Sequence, residues 1–579
     1  MKYSLISEPN PNLTITQQIL VNRGIPFEQI NSYIKTTDSN LHAPEKLESI
    51  QIAAFLLLKH LKAGSKIYVQ VDSDCDGYTS SAFLLNWIYR FSPESISNIE
   101  FGLHQGKEHG LSESFIEKLE MQQYGLVIVP DAGSNQLDLH EKLLDKNITC
   151  IVLDHHEAHE RSKYAIVVNP QLDEYPNKQI SGVGVVYKFC KVLDSVLGLD
   201  IAEDMLDLVS LGMIADMVDM REIETKHLIN KGLMNINNPF IKALCDKQAY
   251  SMRDGLTPIS IGFYIAPLIN AAIRVGTQEE KETMFKAFLE FYAHKEEPST
   301  KRGAKFGDIE TIAEKAARQS TNIKNRQGKL RDEGMAKVNQ IIQEQGLDNN
   351  KIIIVESPES LDKNLSGLIA NQIMYKYQKP VLLLRSTKDG LLQGSGRGYD
   401  KSELVDLKGF LNNSNLVEYA EGHSNAFGAG IKSENLDSLI NYFNEELKDF
   451  DFSPKYLVDF VFNANNLSLQ DLMEIGNLKS LWGKGLDESF IVIKGLKITK
   501  DKLSLMSATQ NPTLKVQDGQ ISFIKFKSSQ TEYESLLSEE GFVEIDLVGK
   551  CSLNEWNGII SPQVLIEEYQ VVSNVAWYF

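Results

Sequence analysis

Cysteine is scarce in this chain, and its few positions form no pattern. The 579 residues include five cysteines, which lie far apart at Cys75, Cys150, Cys190, Cys245 and Cys551. Because no Cys-x-x-Cys pair occurs, the spacing disfavours both a disulfide framework and a structural zinc site. A reducing cytoplasm is the compartment that this cysteine content predicts.

Positive charge is also in short supply. Lys and Arg total 59 against 78 Asp and Glu, which gives a formal net charge of -19. Such a chain does not coat nucleic acid through bulk basicity, so any nucleic-acid contact must be local. The sequence lacks a charged-then-apolar start and an unbroken apolar run of about twenty residues, so neither secretion nor membrane insertion is expected.

The length and the apolar pattern predict more than one domain. A chain of 579 residues exceeds what one core usually organises, and 42% hydrophobic residues suffice for sizeable cores. Helical spacing of apolar residues over 46–61 is followed by short β-branched runs at residues 66–71, 125–130, 150–153 and 165–168. Strands that are apolar throughout and alternate with helices are typical of a parallel sheet buried on both faces. We therefore predict an N-terminal lead and a parallel α/β domain over residues 1–300.

A long helix is predicted to connect this domain to the rest of the chain, over residues 301–339. Polar residues recur at three- and four-residue steps, at Lys315, Arg318, Asn322, Arg326 and Lys329, which places them on one face. Residues 301–337 hold ten basic and five acidic side chains, the reverse of the global sign. Two interpretations stay open: a solvated face on a connecting helix, or a surface that follows a nucleic-acid backbone, to which Arg326 would contribute.

Two further domains are predicted after the helix. Apolar runs at residues 351–355 and 380–384, with a helical pattern between them, predict a smaller α/β domain over 340–450. Residues 451–579 contain short strand-like runs, at 490–493, 521–526, 542–548 and 564–569. The simplest interpretation of this last region is an all-β module, such as a small barrel.

Carboxylates and imidazoles follow three of the predicted strands where each strand ends. They are Asp72, Asp74 and Asp76, then Asp131, then Asp154, His155 and His156; Asp216 follows an apolar helical run. Since the carboxyl ends of parallel strands share one edge, these side chains are expected to meet in one crevice. Crowded carboxylates need cations, and an oxygen-rich site with few imidazoles suits Mn²⁺ or Mg²⁺ better than zinc. The pattern predicts two divalent cations that activate water for an in-line phosphoryl displacement.

This ordered set resembles the four motifs of the DHH phosphoesterase superfamily. Further segments, at residues 181–184, 261–272, 394–397, 422–428 and 554–558, resemble those of RecJ-type exonucleases, so the matches run over nearly the whole chain. The resemblance implies a parallel-sheet DHH domain, a connecting helix, a smaller DHH-associated domain and a C-terminal oligonucleotide-binding barrel.

The resemblance also implies a role for each residue of the cluster. Asp74 and Asp131, with Asp72 as a third ligand, would hold one metal ion. The other ion would be held by Asp76, Asp131, His155 and Asp216. Asp131 would bridge the two ions, His156 would contact the scissile phosphate, and Asp154 would orient a histidine.

Other residues match RecJ positions near the nucleic-acid path. They are Arg274, Ser395, Arg397 and His423. The guanidinium and hydroxyl beside the glycine-rich turn, of Arg397 and Ser395, could grip a terminal phosphate, although residues 394–397 also fit an ordinary turn. Trp556 could stack on a base or fill the core of the barrel. The chain departs from the RecJ pattern at Leu268 and Ile273, where arginine and glycine are usual, and residues 104–110 lack an Asn-Arg pair.

The leading hypothesis is an exonuclease that degrades single-stranded DNA, with the 5′ to 3′ direction taken from the resemblance alone. A single-strand-binding protein or a helicase is a candidate partner. One alternative is a phosphodiesterase for short oligonucleotides or cyclic dinucleotides, although such relatives generally end after the second domain. The other is a non-catalytic replication or repair scaffold, which would have lost the carboxylates retained here.

Overall fold

The structure, a computed structural model, describes residues 1–106, 108–253, 255–506, 512–538 and 541–576. In chain order the strands are β1 (Lys2–Leu5), β2 (Ile67–Val71), β3 (Ile99–Leu103), β4 (Leu126–Pro130), β5 (Thr149–Leu153), β6 (Ile166–Val168), β7 (Glu296–Pro298), β8 (Ile309–Thr311), β9 (Ile353–Glu356), β10 (Val381–Ser386), β11 (Leu391–Arg397), β12 (Tyr419–His423), β13 (Ala426–Lys432), β14 (Lys455–Val458), β15 (Phe460–Asn463), β16 (Phe490–Ile498), β17 (Leu503–Met506), β18 (Thr513–Asp518), β19 (Ile521–Lys525), β20 (Gly541–Trp556) and β21 (Ile559–Ala576).

The helices are α1 (Ile15–Asn22), α2 (Ile30–Ile34), α3 (Ile50–Lys62), α4 (Cys75–Phe91), α5 (Glu113–Met121), α6 (Leu137–Asp145), α7 (Gly182–Leu197), α8 (Leu206–Ala215), α9 (Ile223–Leu233), α10 (Pro239–Lys247), α11 (Pro258–Ser260), α12 (Ala266–Val275), α13 (Gln278–Phe288), α14 (Glu290–Ala293), α15 (Ile312–Gln345), α16 (Ser366–Tyr377), α17 (Leu407–Asn413), α18 (Leu436–Glu446), α19 (Leu469–Gly476) and α20 (Gln530–Leu536). A π-helical turn, Ile261–Ile265, joins α11 to α12.

The chain divides into two compact units. The first unit comprises Arg23–Arg326 and Lys479–Asp487. The second unit comprises Met1–Asn22, Gln327–Leu478 and Glu488–Phe579. The predicted boundary that assigned residues 1–22 to the first α/β domain is therefore wrong, because β1 pairs in parallel with β14 of the second unit.

The first unit is built on a five-stranded parallel sheet of order β3-β2-β4-β5-β6. All four pairings in it are parallel, which confirms the α/β prediction. Every residue of β2 and β4 is buried, because helices cover both faces of the sheet. From β2 the chain passes to β3 on one side, and from β3 it crosses back to β4 on the other side of β2, so the direction of strand addition reverses at β2 and β4. Such a reversal opens a crevice at the carboxyl ends of those two strands.

The second unit holds mixed sheets. One has five strands in the order β12-β13-β11-β10-β9, and the other has seven in the order β15-β16-β20-β21-β19-β18-β17. The first matches the predicted smaller α/β region, and the second is consistent with a C-terminal module like the oligonucleotide-binding fold. Both belong to one compact unit, whereas the sequence predicted separate domains over 340–450 and 451–579.

The long connecting helix begins later than predicted. It spans Ile312–Gln345, and residues 296–311 instead form the antiparallel hairpin of β7 and β8. The predicted start at residue 301 is wrong because Gly303 and Gly307 adopt positive φ values, which end any helical path.

One helical stretch among the described residues, Pro258–Val275, is long and apolar enough to cross a membrane by length and composition. The sequence expectation overlooked it because Asn270 and Arg274 interrupt the apolar run. More than half of the stretch is buried inside the molecule, as a core helix is, so its hydropathy is weak evidence for a membrane span.

Candidate metal centre

The crevice between β2 and β4 receives one aspartate from each strand. Ile67 pairs with Leu126, and Asp72 and Asp131 each lie five residues further along. Both side chains are buried, with 1% and 0% of their surfaces exposed. The sheet therefore places two carboxylates side by side at its carboxyl edge, as the sequence predicted.

Helix α4 adds two more carboxylates to the crevice. Asp74 caps the helix, and its Oδ1 accepts a hydrogen bond of 2.9 Å from the Gly77 amide. Asp76 is buried in the first turn and accepts hydrogen bonds from the start of α7, at 2.7 Å from the Gly182 amide and 3.1 Å from the Ser181 hydroxyl. A helix amino end favours negative charge, which holds Asp76 in place.

The Asp131 carboxylate is the most deeply buried acidic group of the crevice. Neither of its oxygens has a hydrogen-bond partner among the described residues. Its backbone has φ +65°, which strains a residue other than glycine and turns the side chain into the crevice. Buried oxygens left without a donor are costly, so this carboxylate needs a cation.

His155 and Asp216 complete the cluster. The Nε2 atom of His155 lies 3.2 Å from Asp131 Oδ1, 3.8 Å from Asp216 Oδ2 and 3.9 Å from Asp76 Oδ2. Ligand atoms lie within 4.8 Å of one another in three sets: Asp72, Asp74 and Asp131; Asp76, His155 and Asp216; and Asp131, His155 and His156. We call the six residues of the first two sets the metal centre. Asp131 of the first set lies 3.2 Å from His155 of the second, so the two oxygen-rich sets are adjacent and fit a pair of divalent cations.

The protonation equilibria show how strongly the cluster needs positive charge. Burial and the charge of Asp74 raise the pKa of Asp76 to about 7. Burial and the charge of Asp76 raise the pKa of Asp216 to about 8, and the same causes raise the pKa of Asp131 well above its usual range. Burial lowers the pKa of His155 to about 4, so its ring is neutral and able to ligate a metal. Bound cations would reverse the carboxylate shifts.

Two glycines allow the helices to approach the carboxylates. A Cβ atom on Gly182 would lie 2.2 Å from Asp131 Oδ1, and one on Gly212 would lie 2.5 Å from Asp76 Oδ1. Any larger residue would push α7 or α8 away from the crevice. The sequence motifs at 181–184 and 211–216 therefore position ligands in addition to supplying Asp216.

Asp154 and His156 form a pair beside the metal centre. Asp154 Oδ1 lies 2.8 Å from His156 Nδ1, and its Oδ2 accepts a hydrogen bond of 3.0 Å from the Ser134 amide. The bond to Asp154 raises the pKa of His156 to about 9, so the imidazole is cationic at neutral pH. Burial works to raise the pKa of Asp154, but the bonds from His156 and Ser134 outweigh it and hold that pKa below its usual range.

His109 is a neighbour of the cluster that the sequence did not reveal. Its Nδ1 lies 2.7 Å from Asp72 Oδ2, and the adjacent Gly110 amide donates to Asp72 Oδ1 at 3.0 Å. The hydrogen bond to Asp72 raises the pKa of His109. The segment reaches the crevice because it follows β3, a strand that the apolar pattern did not predict. The only available signal was a His-Gly pair two residues before a helix cap.

The basic residues of the first unit differ in their surroundings. Arg274, on α12, lies close enough to Asp74 for that charge to raise its pKa, against a larger lowering by burial. Arg326, in contrast, pairs with Glu280 at 2.8 Å and donates to the Val275 carbonyl at 3.0 Å. Its contact with nucleic acid stays a prediction.

Three predicted contact residues gather in the second unit. Arg397 pairs with Ala426, which pairs with His423 on the next strand, so Arg397 and His423 share a row across β11, β13 and β12. Ser395 Oγ lies 3.5 Å from Ser366 Oγ at the start of α16. A Cβ on Gly367 would lie 2.6 Å from the Arg397 guanidinium, so that group packs over the amino end of this helix. A guanidinium, hydroxyls and a helix amino end together suit a phosphate.

Trp556 lies at the tip of the β20–β21 hairpin, where it pairs with Ile559. Its side chain is 73% exposed. The alternative that it fills the core of a barrel is therefore wrong, and its stacking on a base stays a prediction.

A cluster of buried carboxylates and one imidazole at the switch point of a parallel sheet defines a divalent-metal hydrolytic site. Comparison with known proteins agrees. Residues 66–213 match the DHH family, N-terminal domain. YorK, an SPbeta prophage-derived protein of Bacillus subtilis (strain 168) named as a single-strand DNA-specific exonuclease, is 39% identical over 99% of this chain and 98% of its own. The chain belongs to the RecJ-type exonucleases of the DHH family.

More distant relatives share the fold. The single-stranded-DNA-specific exonuclease RecJ of B. subtilis is 22% identical over 96% of this chain and 68% of its own. The crystal structure of RecJ in complex with Mn²⁺ from Thermus thermophilus matches with a TM-score of 0.71 and 18% identity, over 99% of this chain and 80% of that one. These likenesses confirm the architecture that the resemblance implied.

Proposed function

We propose that this protein is a metal-dependent exonuclease that degrades single-stranded DNA in the 5′ to 3′ direction. The observation that supports it most is Asp131, a fully buried carboxylate whose two oxygens lack hydrogen bonds from the described residues and lie among further acidic groups. Such a cluster requires protons or bound cations, and a pair of divalent cations is suited to phosphodiester hydrolysis. The likeness to YorK, over nearly the whole of both chains, supports the substrate. The direction rests on family membership.

The two metal ions are divalent, Mn²⁺ or Mg²⁺, and when bound they supply the activation of water and the stabilisation of charge on the phosphate. Asp72 and Asp74 would hold one ion, whereas Asp76, His155 and Asp216 would hold the other. Asp131 would serve both, because it belongs to a set with Asp72 and Asp74 and its Oδ1 lies 3.2 Å from His155 Nε2.

The remaining residues act on the substrate. His156 is half exposed on the solvent side of the cluster and cationic, so it binds the scissile phosphate while Asp154 fixes its orientation. Arg274 adds a second positive charge near Asp74. Ser395 and Arg397 of the second unit would bind a terminal phosphate of the strand, and His423 lies in the same row of strands as Arg397. Because the protein is acidic overall, a single-strand-binding protein or a helicase would help to deliver the strand.

The test is digestion of a single strand labelled at either end, as DNA and as RNA, with Mn²⁺ or Mg²⁺ and with a chelator. We expect metal-dependent release of nucleotides, with the 5′ label released first. Absence of hydrolysis with either metal would contradict the proposal, and early release of the 3′ label would contradict the direction. A duplex of the same sequence is the control for strand selectivity.

A further inference from the structure

The hairpin of β7 and β8 carries a charged loop that lies outside the metal centre. Residues 299–308, which we call the basic loop, contain Lys301, Arg302, Lys305 and Phe306. Asp308 is the only acidic residue among these ten, in a chain whose net charge is -19. Phe306 is fully exposed, which is unusual for a large apolar side chain.

Two tandem turns fix the conformation of the basic loop. The Ala304 amide donates to the Lys301 carbonyl at 3.0 Å, and the Asp308 amide donates to the Lys305 carbonyl at 3.0 Å. The third residue of each turn is a glycine, Gly303 with φ +85° and Gly307 with φ +95°, as such turns require. Arg302 and Phe306 therefore occupy the same corner position in successive turns, and both side chains project into solvent.

The base of the hairpin is anchored by ion pairs with α15. Glu310 is buried and accepts from the Arg318 guanidinium at 2.5 Å and from the Thr300 amide at 3.1 Å. Glu297 pairs with Lys315 at 2.6 Å. Two cations of the predicted helical stripe are thus used to hold the hairpin.

The cations of the basic loop are placed differently. Lys301 lies 3.9 Å from Glu310, whose carboxylate is already engaged by Arg318. Within the part of the chain that the structure describes, Arg302 and Lys305 have no ion pair. Part of the surplus positive charge of residues 301–337 is therefore available on the basic loop.

The basic loop emerges far from the metal centre. The Glu290 amide, six residues before β7, donates to Asn86 at 2.9 Å, and Asn86 lies ten residues beyond Asp76, about 15 Å along α4. Thr311, at the end of β8, lines the same cavity as Asn237, whose amide donates to Asp207 at the start of α8. Asp216 is at the opposite end of α8. Both contacts place the hairpin at the edge of the first unit away from the metal centre.

We infer that the basic loop is a second binding site for a nucleic-acid strand, with Arg302 and Lys305 on phosphates and Phe306 stacked on a base. This inference rests on the proposed function, since the strand would be the substrate held at a distance from the reacting end. Cations that alternate with an exposed aromatic ring fit the alternating phosphates and bases of a single strand. A lipid surface fits less well, because a single phenylalanine buries too little apolar area to anchor the loop in a membrane.

The charge test compares two variants of the full-length protein that lose the same charge. Arg302→Gln/Lys305→Gln removes the cations of the basic loop, whereas Lys59→Gln/Lys62→Gln removes two exposed lysines of α3. The measurement is kcat/KM at several salt concentrations, on a strand of about 30 nucleotides and on a trinucleotide, which is too short to span about 15 Å and the hairpin beyond it.

We expect the loop variant to lose roughly tenfold in kcat/KM on the long strand at low salt. The slope of log kcat/KM against the logarithm of the salt concentration should become shallower by about 1.4, because two phosphate contacts are lost. Its activity on the trinucleotide should equal that of the wild type, and the α3 variant should match the wild type on both. Equal losses on both substrates, or none on the long strand, would overturn the inference. If the wild type cleaves neither substrate, the proposed function itself fails.

The stacking test uses the base as the variable. Phe306→Ser should lower affinity for the long strand several-fold, and an otherwise identical abasic strand should bind both proteins equally. Phe55→Ser, which removes a phenylalanine of α3 that is 67% exposed, is the control and should change neither. An equal effect of Phe306→Ser on both strands would overturn the stacking role. Binding of both proteins to phosphatidylserine vesicles is measured as well. If Phe306→Ser weakened binding to the vesicles but not to the strand, the inference would also be overturned.

Discussion

The metal centre gathers negative charge from distant parts of the chain into a buried crevice, whereas the basic loop holds positive charge on consecutive, exposed residues. The metal centre draws residues from positions 72 to 216, buries half of them and crowds like charges together. The basic loop takes ten consecutive residues and keeps its cations in solvent, where they repel little. A buried cluster therefore depends on the whole fold and on bound cations, whereas an exposed one depends only on its hairpin.

The largest loss of activity is expected from a substitution of Asp131, the carboxylate that would serve both ions. Asp131→Asn should reduce nucleotide release on the order of 10³-fold or more, because both ion sites lose a ligand. At about pH 8 the same variant should raise the Tm measured in a chelator, since it removes a carboxyl that folding must either bury as a charge or protonate. Activity assays and thermal melts check the two effects. Retained activity, or a lower Tm in the chelator, would contradict this account of the metal centre.

Close approach of α7 to Asp131 gives the next largest effect. Gly182→Ala places a Cβ 2.2 Å from Asp131 Oδ1, so α7 must shift, and its hydrogen bond to Asp76 shifts with it. We expect about a 100-fold loss in kcat with the fold retained, because small displacements of catalytic groups lower the rate by about this factor. Gly328→Ala, where an added Cβ meets nothing within 4 Å, is the matched control and should keep full activity. A Gly182→Ala enzyme as active as this control would show that the close approach does not matter.

A smaller effect is expected from loss of the ion pair that anchors the base of the hairpin. Arg318→Met leaves Glu310 buried without its cation and loosens the base of the hairpin. We expect a loss of roughly threefold to tenfold in kcat/KM on long strands and none on a trinucleotide. Arg331→Met, which removes a partly exposed arginine paired with its neighbour Asp332, should change neither value. A loss on the trinucleotide would show that the hairpin also supports the metal centre.

The smallest effect is on stability, and its sign follows from the raised pKa values. The folded pKa of Asp76 is about 7 and that of Asp216 about 8, above the value near 3.9 in an unfolded chain. Between these values the folded protein holds protons that the unfolded chain has released, so the free energy of unfolding falls as the pH rises. The metal-free protein should have a Tm lower at about pH 8 than at about pH 5, by on the order of 5 °C.

Added Mn²⁺ should restore more of the Tm at the higher pH, because cations favour the ionised carboxylates. Thermal melts with and without metal at both pH values check this. A metal-induced rise in Tm that is equal at both pH values would contradict the assigned pKa shifts. In variants of the basic loop, the Tm should depend on pH and on Mn²⁺ as it does in the wild type.

Much of the metal centre could be predicted because its signals are local. A buried apolar strand followed by aspartate needs only a short window to recognise, and parallel strands bring such ends to one edge. The strands at residues 66–71, 125–130 and 150–153 were confirmed within one residue at each end. His109 was missed because β3, the strand that precedes it, was not predicted. The charged Glu100 and the glycine Gly102 interrupt the apolar pattern of this strand.

The basic loop shows where local signals fail. Its cations were counted correctly, but the period of the following helix was extended backward across Gly303 and Gly307, so a hairpin was taken for helix. Only tertiary contacts, such as the pair of Glu310 with Arg318, show which cations are used in the fold. The parallel pairing of β1 with β14 is likewise invisible to sequence patterns, since more than 440 residues separate the strands.

The proposed mechanism requires a divalent cation on each side of Asp131. An anomalous difference map from crystals of the protein grown with Mn²⁺ would show these ions directly. We expect two peaks about 3.5–4 Å apart, one on each side of the Asp131 carboxylate. A single peak, or a pair that leaves Asp131 without contact, would contradict it.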